Sequence, residues 1–539
     1  MSADFKNRLS EAICHAVDLD NDLQVKWTLP KREGQGDLST NIAMILANQR
    51  KTQPRQLADE ILKKVVWPQN EIEHAEVAGP GFINIWISND HYRKIVNDII
   101  TSGRNYGASD IGAGHKVIVE FVSANPTGPL NIVSARAAAI GDSLVRVLNK
   151  TGFDVSAEFY VNDSGKQIRK LGESVIAISR NDAVPEDGYH GDDIISIAKE
   201  LSSEGVLSIE SDPENIGKAA AKKNVVVQKD ALESYGVNFD RWFLESELHQ
   251  QGGPETALEK LKAVGAVKEE DGATWFSGSK FGDEDRVIIT SEGRPTYLLP
   301  DISYHLNKAE RGFDTAIDLL GPDHHDYAGR MRAAMKALGH DSFLEVLIVQ
   351  QVHFVSGGEK VKMSKRAGKI VTLQQLIEEV GEGDLVRGRD IARYFFMQRR
   401  TSTPLEFDLD LAKEQSERNP VFYVQYAHTR ICGILRQDGC PDPLDADLSY
   451  LDKGEEINLI KHLEQFGEII QRAAESREPQ KLVSYLHDLA TTFHKFYTAC
   501  RVVGVEKNIS AARAALSNAT RIVLAEGLNL LGVSAPERM

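Results

Sequence analysis

The spacing of apolar positions divides the chain into three stretches. Near the start, Leu9, Ile13 and Val17 recur four apart and predict a helix, and Ile42, Ile45 and Leu46 predict a second over Leu38–Ala47. The text EHAEVAGPGFINIWIS then reads as strands around a turn at Gly79-Pro80-Gly81. Residues 1–112 are therefore expected to form a small α+β domain, closing in the linker-like TSGRNYGASDIGAGH.

From residue 116 the pattern becomes strand followed by helix. VIVEFV is a short apolar run, a turn-rich loop follows it, and a helix carrying Ile140, Leu144, Val147 and Leu148 on one face stops at Thr151-Gly152. DVSAEFYV is a second strand, and AIDLLG and FLEVLIVQQVHF are further runs separated by the helical YAGRMRAAMKALG. This alternation predicts an α/β fold, with a doubly wound parallel core of the Rossmann type over residues 113–404. After residue 405 the strand signal vanishes. LVSYLHDLATTFHKFYTACRVV and AARAALSNATRIVLAEGLNLLG predict an all-α helix bundle over 405–539.

Composition narrows the function classes. Sixty-three Lys and Arg against 79 Asp and Glu leave a net charge of −16 over 539 residues, which argues against nucleic-acid binding through bulk positive charge. No run approaches the roughly 18 apolar residues that span a bilayer, and the first residues lack a basic end followed by an apolar run; a cytoplasmic protein with no membrane partner is expected. Cys14, Cys432, Cys440 and Cys500 form no CxxC pair, which excludes a disulfide framework and a ribbon-type zinc site. His324 and His325 are adjacent, so their side chains diverge, and no further ligand pattern accompanies them; no protein-bound structural metal is expected.

Two loops carry candidate chemistry. SANPTGPLNIVSAR follows the first strand of the parallel domain, where strand ends and helix N-termini converge and backbone N–H groups can hold a phosphate. Alone, it is equally well a turn-rich connector. SGGEKVKMSKRAGK sets Lys360, Lys362, Lys365, Arg366 and Lys369 among glycines after an apolar strand, and a cationic loop of that kind suits neutralisation of a polyphosphate. A solvated lysine-rich turn is the competing reading, against which the narrow pattern KMSK counts.

Taken in order, VIVEFVSANPTGPL, EFYVNDSGKQI, YGVNFDRWFLES, RPTYLLPDISYHLNKAERGFD, LLGPDHHDYAGR, KMSKRAGKIVTL, FDLDLAKEQSERNPVFYVQYAHTRI and LLGVSAPERM resemble the arginyl-tRNA synthetases of class I over essentially the whole chain. The resemblance implies an N-terminal domain that contacts the tRNA D-loop, a catalytic core and an anticodon-binding bundle. It implies ATP-dependent attachment of L-arginine to arginine tRNA through an arginyl adenylate. It implies that Mg2+ accompanies ATP as substrate and that tRNA is bound before activation, and a monomer is expected. A guanidinium presents five planar donors, so its pocket needs carboxylates and neutral acceptors. By resemblance these are Glu120, Asn125, Tyr297 and Asp301, with His324 at the pocket edge; Tyr297 and Asp301, four apart, would share a helical face. Thr127, Gly128, Pro129, Asn131, Ser134 and Lys365 fall on the ATP side, and Lys362, Ser364 and Lys365 are assigned to charge developing on the leaving pyrophosphate.

One departure bears on rate. Class I chains carry His-x-Gly-His after GPL, and here the stretch is Asn131-Ile132-Val133-Ser134. Loss of one oriented transition-state donor commonly costs about 10² to 10³ in rate, and Asn131 and Ser134 are weaker substitutes. An impaired relative retaining tRNA or arginine binding is thus the alternative. An enzyme passing arginine to another acceptor is a third reading, disfavoured by the two tRNA-binding modules.

Contacts to tRNA need local charge only, since screening limits charge effects to about 8 to 10 Å. RGRDIARYFFMQRR places Arg389, Arg393 and Arg400 at near-helical spacing around Tyr394, Phe395 and Phe396, either offering arginines to the acceptor stem or forming a core helix with a cationic face. In NPVFYVQYAHTRI, Tyr423, Gln425, Tyr426 and His428 are candidate base contacts, with core packing as the competing role.

Overall fold

The computed structural model describes residues 3–17, 25–28, 30, 34–68, 70–208, 211–324, 326–361, 372–444 and 446–539. Its centre is a five-stranded, all-parallel sheet. The strands are β1 (Lys116–Glu120), β2 (Asp154–Val161), β3 (Arg241–Leu244), β4 (Thr315–Leu320) and β5 (Leu344–Ile348), in the spatial order β5-β4-β1-β2-β3. Residues of β1 and β4 are almost wholly buried, which explains why these segments read as unbroken apolar runs rather than alternations. The strand order reverses at β1, so the loop leaving β1 lies at the crevice where open α/β sheets receive ligands.

The helix Ile132–Lys150 follows that loop and is anchored at both ends. The Asn131 side chain accepts a hydrogen bond from the Ser134 N–H at its start, and Gly152 adopts φ +86° just beyond its end. Midway, Gly141 lets it lie against the sheet, since a Cβ there would sit 2.3 Å from the Phe121 ring. Its C-terminal half faces the bundle: Ser143 donates to the Leu530 carbonyl at 2.9 Å and Lys150 pairs with Glu526 at 2.9 Å.

The N-terminal module has the expected helix at Ala3–Ala16 and strands at Ile72–Ala78 and Phe82–Ile87. The helix expected over Leu38–Ala47 begins late: Leu38–Thr40 is a strand paired antiparallel with Phe82–Ile87, and the helix runs Ile42–Arg50. All three residues of that strand are buried, so it offers no alternation to read. FLEVLIVQQVHF, read as one run, divides between β5 and a strand at Val352–Ser356 in a second sheet. That second sheet also corrects the expectation of no strand beyond 405. Leu405–Asp408 pairs in parallel with Val352–Ser356, and its four residues are too few for a periodic signal. Thereafter the helices Pro420–Leu435, Gly454–Glu464, Phe466–Ser476, Gln480–Ala499 and Lys507–Leu530 form the bundle. No helix among the described residues is long and apolar enough to cross a membrane.

Candidate active site

Glu120 ends β1, and the chain then turns sharply. Val122 and Ser123 both take positive φ, at 70° and 39°, a left-handed geometry that a β-branched residue enters only when its surroundings hold it there. Ser123 does the holding: its hydroxyl donates to Glu120 Oε1 at 2.8 Å and accepts from the Tyr160 N–H of β2 at 3.1 Å. Glu120 is buried, contrary to a solvent-facing strand end, because its other oxygen takes a hydrogen bond from Lys308 Nζ at 2.5 Å.

Lys308 is fully enclosed and also donates to Asp318 Oδ1 at 2.8 Å, while His305 Nε2 lies 2.6 Å from Asp318 Oδ2. Burial alone would pull the Lys308 ammonium down, but Asp318 and Glu120 outweigh it and hold it above its ordinary range. The same contacts keep Asp318 ionised against the pull of burial. Lys308, Asp318 and His305 were not among the residues singled out in the sequence. A lysine on the apolar side of its helix, ten residues before an aspartate on a buried strand, was the available signal.

Asp301 lies two turns above Lys308 on the helix Leu298–Glu310. Its carboxyl is pushed up to about 7, first by burial and then by the nearby carboxylates of Glu245 and Glu120, with His305 and a hydrogen bond from Tyr327 only partly opposing this. The structure thus brings Glu120 and Asp301 together and adds Glu245, which accepts from Ser164 Oγ at 3.0 Å. Three carboxyls are thus grouped here, Glu120 matched by Lys308, Glu245 lying 3.4 Å from His249 and Asp301 partly opposed by His305, a setting in which a cationic ligand beside Asp301 would be favoured. Tyr297 does not share their face: it precedes the helix as its capping residue and is 79% exposed. His324 is likewise exposed, edge-on to Tyr327 at 6.0 Å. His325 lies outside the described residues.

The loop 124–131 is held from behind by residues the sequence did not reveal. On the helix Pro213–Ser234, Asn224 donates to the Pro126 carbonyl at 3.0 Å, and Gln228 donates to the carbonyls of Asn125 and Gly128 at 3.1 and 2.9 Å. Asn125 and Pro129 therefore present their side chains outward, and Thr127 is half-buried. Asn131 is exposed, and Ser134 is buried beneath it. Because Asn131 Oδ1 occupies the Ser134 N–H, that donor is satisfied internally rather than left open for a phosphate. Lys362, Ser364 and Lys365 lie outside the described residues; the chain enters that stretch from the strand Glu359–Val361 and leaves it at Thr372, which forms a β-bridge with Asn131.

The tRNA candidates separate. Arg393 is wholly buried and donates to the Leu531 and Tyr235 carbonyls at 3.0 and 3.2 Å and to Asp142, which corrects its assignment to the acceptor stem. Arg389 is half-buried and held by Asp390 at 3.0 Å. Gln425 and His428 are also inward, binding Ser534 and the Pro536 carbonyl. Tyr423 and Tyr426 stay half-exposed in a cluster with His494, at ring distances of 4.9 and 6.2 Å. Among the described residues no group of three or more His, Cys, Asp or Glu could hold a metal ion.

A parallel sheet with a crevice at its reversal point and an appended helical bundle is an architecture compatible with class I aminoacyl-tRNA synthetases, and the catalytic-domain match assigns the chain to that class. The family descriptions that match are the arginyl tRNA synthetase N terminal domain over residues 3–87, the class I (R) tRNA synthetase catalytic domain over 95–387, and the DALR anticodon binding domain over 424–539. The chain is 46% identical over 526 residues to the arginine–tRNA ligase of Bacillus subtilis, covering 95% of this chain and 93% of the relative. To that of Carboxydothermus hydrogenoformans it is 44% identical, covering 97% and 96%. The Thermus thermophilus arginyl-tRNA synthetase structure superposes with a TM-score of 0.80 at 21% identity, covering 99% of this chain and all of that one. The chain belongs to the arginyl-tRNA synthetase family.

Proposed function

We infer that this protein attaches L-arginine to arginine tRNA in two steps, activating arginine with ATP as an adenylate and then transferring it to the terminal ribose. The full-length match to arginine–tRNA ligases at 46% identity carries the reading, and the three-carboxyl space is its chemical counterpart. In it, Asp301 and Glu120 receive the guanidinium, with Asn125 and Tyr297 at the rim and His324 at the edge. The substrate carboxylate attacks the α-phosphate and pyrophosphate leaves, so rate rests on orientation and on positive charge around the phosphates more than on a proton carrier. Thr127, Gly128, Pro129, Asn131 and Ser134 border the nucleotide, and Lys362, Ser364 and Lys365 serve the leaving group, with Mg2+ arriving on ATP.

The proposal retains domain limits of 1–112, 113–404 and 405–539, a monomeric state and a cytoplasmic setting. Tyr423, Tyr426 and Arg389 remain its tRNA contacts. An impaired relative is not favoured, because the match extends over the catalytic core as well as both flanking modules. Arginine-dependent pyrophosphate exchange, with and without arginine tRNA, tests the reading. Exchange and charging are expected in the unaltered chain, and their absence alongside tight tRNA binding would reinstate the impaired alternative. Restoring Asn131→His, Val133→Gly and Ser134→His together is expected to raise the exchange rate.

A further inference from the structure

Arg136 stands one turn inside the helix that follows the ligand loop and, like Arg393, is fully enclosed, the two being the largest side chains so buried among the described residues. Its Nη1 donates to the Gln350 carbonyl at 2.8 Å and its Nη2 to the Arg400 carbonyl at 3.0 Å, while its Nε has no partner among the described residues. It makes no ion pair with any described carboxylate. Buried guanidinium groups are ordinarily paired with an acid, because an enclosed charge without one is expensive. Here desolvation acts unopposed and pulls the group down to about 10, which still leaves it charged at neutral pH.

The two carbonyls belong to two different segments of the chain. Gln350 stands two residues before the strand Val352–Ser356, which turns back through Glu359–Val361. Arg400 precedes Leu405–Asp408, the parallel partner of the same strand. The Gln350 N–H also donates to the Thr401 carbonyl at 3.0 Å, so the guanidinium closes a junction among three pieces of chain. Side chains on a helix lean toward its N-terminus, and five residues of helix rise only about 7.5 Å, so the charge sits roughly level with the loop that faces the nucleotide.

We propose that Arg136 is a positioning residue for ATP, clamping the Val352–Val361 hairpin to the phosphate-side helix while its unneutralised charge draws the triphosphate. The proposal rests on the synthetase reading above and adds a residue to it. A unit charge roughly 10 Å away in a medium of intermediate dielectric changes the affinity of each opposite charge about tenfold. Adenosine, which has the base and sugar but no phosphate, should not feel it.

The test compares ATP and adenosine binding by calorimetry, and pyrophosphate exchange, in the full-length chain, R136M and R136K. For R136M the expected result is ATP binding weakened about tenfold or more with adenosine unchanged. R136K keeps the charge but cannot span two carbonyls, so its ATP affinity should stay within about twofold while kcat falls. An unchanged ratio of ATP to adenosine affinity in R136M overturns the charge, and unchanged kcat in R136K overturns the clamp even if R136M does not fold. If the unaltered chain binds no ATP, the synthetase reading fails first and takes the proposal with it.

Discussion

Asp301 illustrates how one side chain can set the working pH of a pocket. Its carboxyl titrates near 7 in the folded chain against an ordinary 3.8. The native state therefore holds a proton there that the unfolded chain releases, and the stability contributed this way is lost as pH rises through that window. Ligand affinity runs in the opposite sense, since a guanidinium favours the carboxylate. Below pH 7 the Kd for arginine is expected to rise about tenfold per pH unit. Calorimetry between pH 5.5 and 8.5 would show the slope, and Asp301→Asn should bind weakly and without it. Lys308 makes a second residue-level case. Lys308→Met leaves Glu120 buried without a counter-charge and Asp318 with His305 alone, and removal of one partner from a buried pair costs about 3 to 5 kcal/mol. Urea denaturation should register that loss, and Lys308→Arg should not restore it fully because the enclosed site has no room for a planar fork.

Among the elements, the helix Pro213–Ser234 decides how firmly the ligand loop is held, and two glycines seat it. A Cβ on Gly217 would stand 1.9 Å from the Ile168 carbonyl, and one on Gly172 would stand 1.8 Å from that of Pro213. Gly217→Ala should therefore push the helix off its neighbour Gly165–Ser179, at about 1 to 3 kcal/mol, and carry Asn224 and Gln228 away from the loop carbonyls. Thermal melting and the KM for ATP should shift together. Much at this scale was legible beforehand: β2 was read to the residue, and the helix after β1 announced its own buried face. What stayed hidden had a physical reason. Leu38–Thr40 and Leu405–Asp408 are shorter than one usable period, and Asn224 and Gln228 are polar residues whose partners are backbone carbonyls about a hundred positions away.

For the whole molecule, Arg393 is the residue that sequence spacing placed on the wrong side. Arginines four and seven positions apart look like a cationic face until the bundle is docked against it, and only the tertiary contact reveals that Arg393 faces Asp142, Tyr235 and Leu531. Glu120 was singled out from the sequence, but its engagement by Lys308 was not, since 188 positions separate the two. Arg393→Met is expected to leave Asp142 with Arg146 as its remaining partner, to strip the Leu531 and Tyr235 carbonyls of a buried donor at the seam between core and bundle, and to destabilise the chain by about 1 to 3 kcal/mol. Limited proteolysis should then cut between the two units before either unfolds, with the tRNA-charging rate falling more than arginine binding.

The 19-residue helix Ile132–Lys150 is about 28 Å of unbroken rod. One tip borders the crevice and the other is bolted to the terminal helix through Ser143 and Lys150. A rod fastened in this way makes one rigid piece common to the crevice and the terminal helix, so a displacement of the bundle would be expected to reach the crevice as a tilt of that tip.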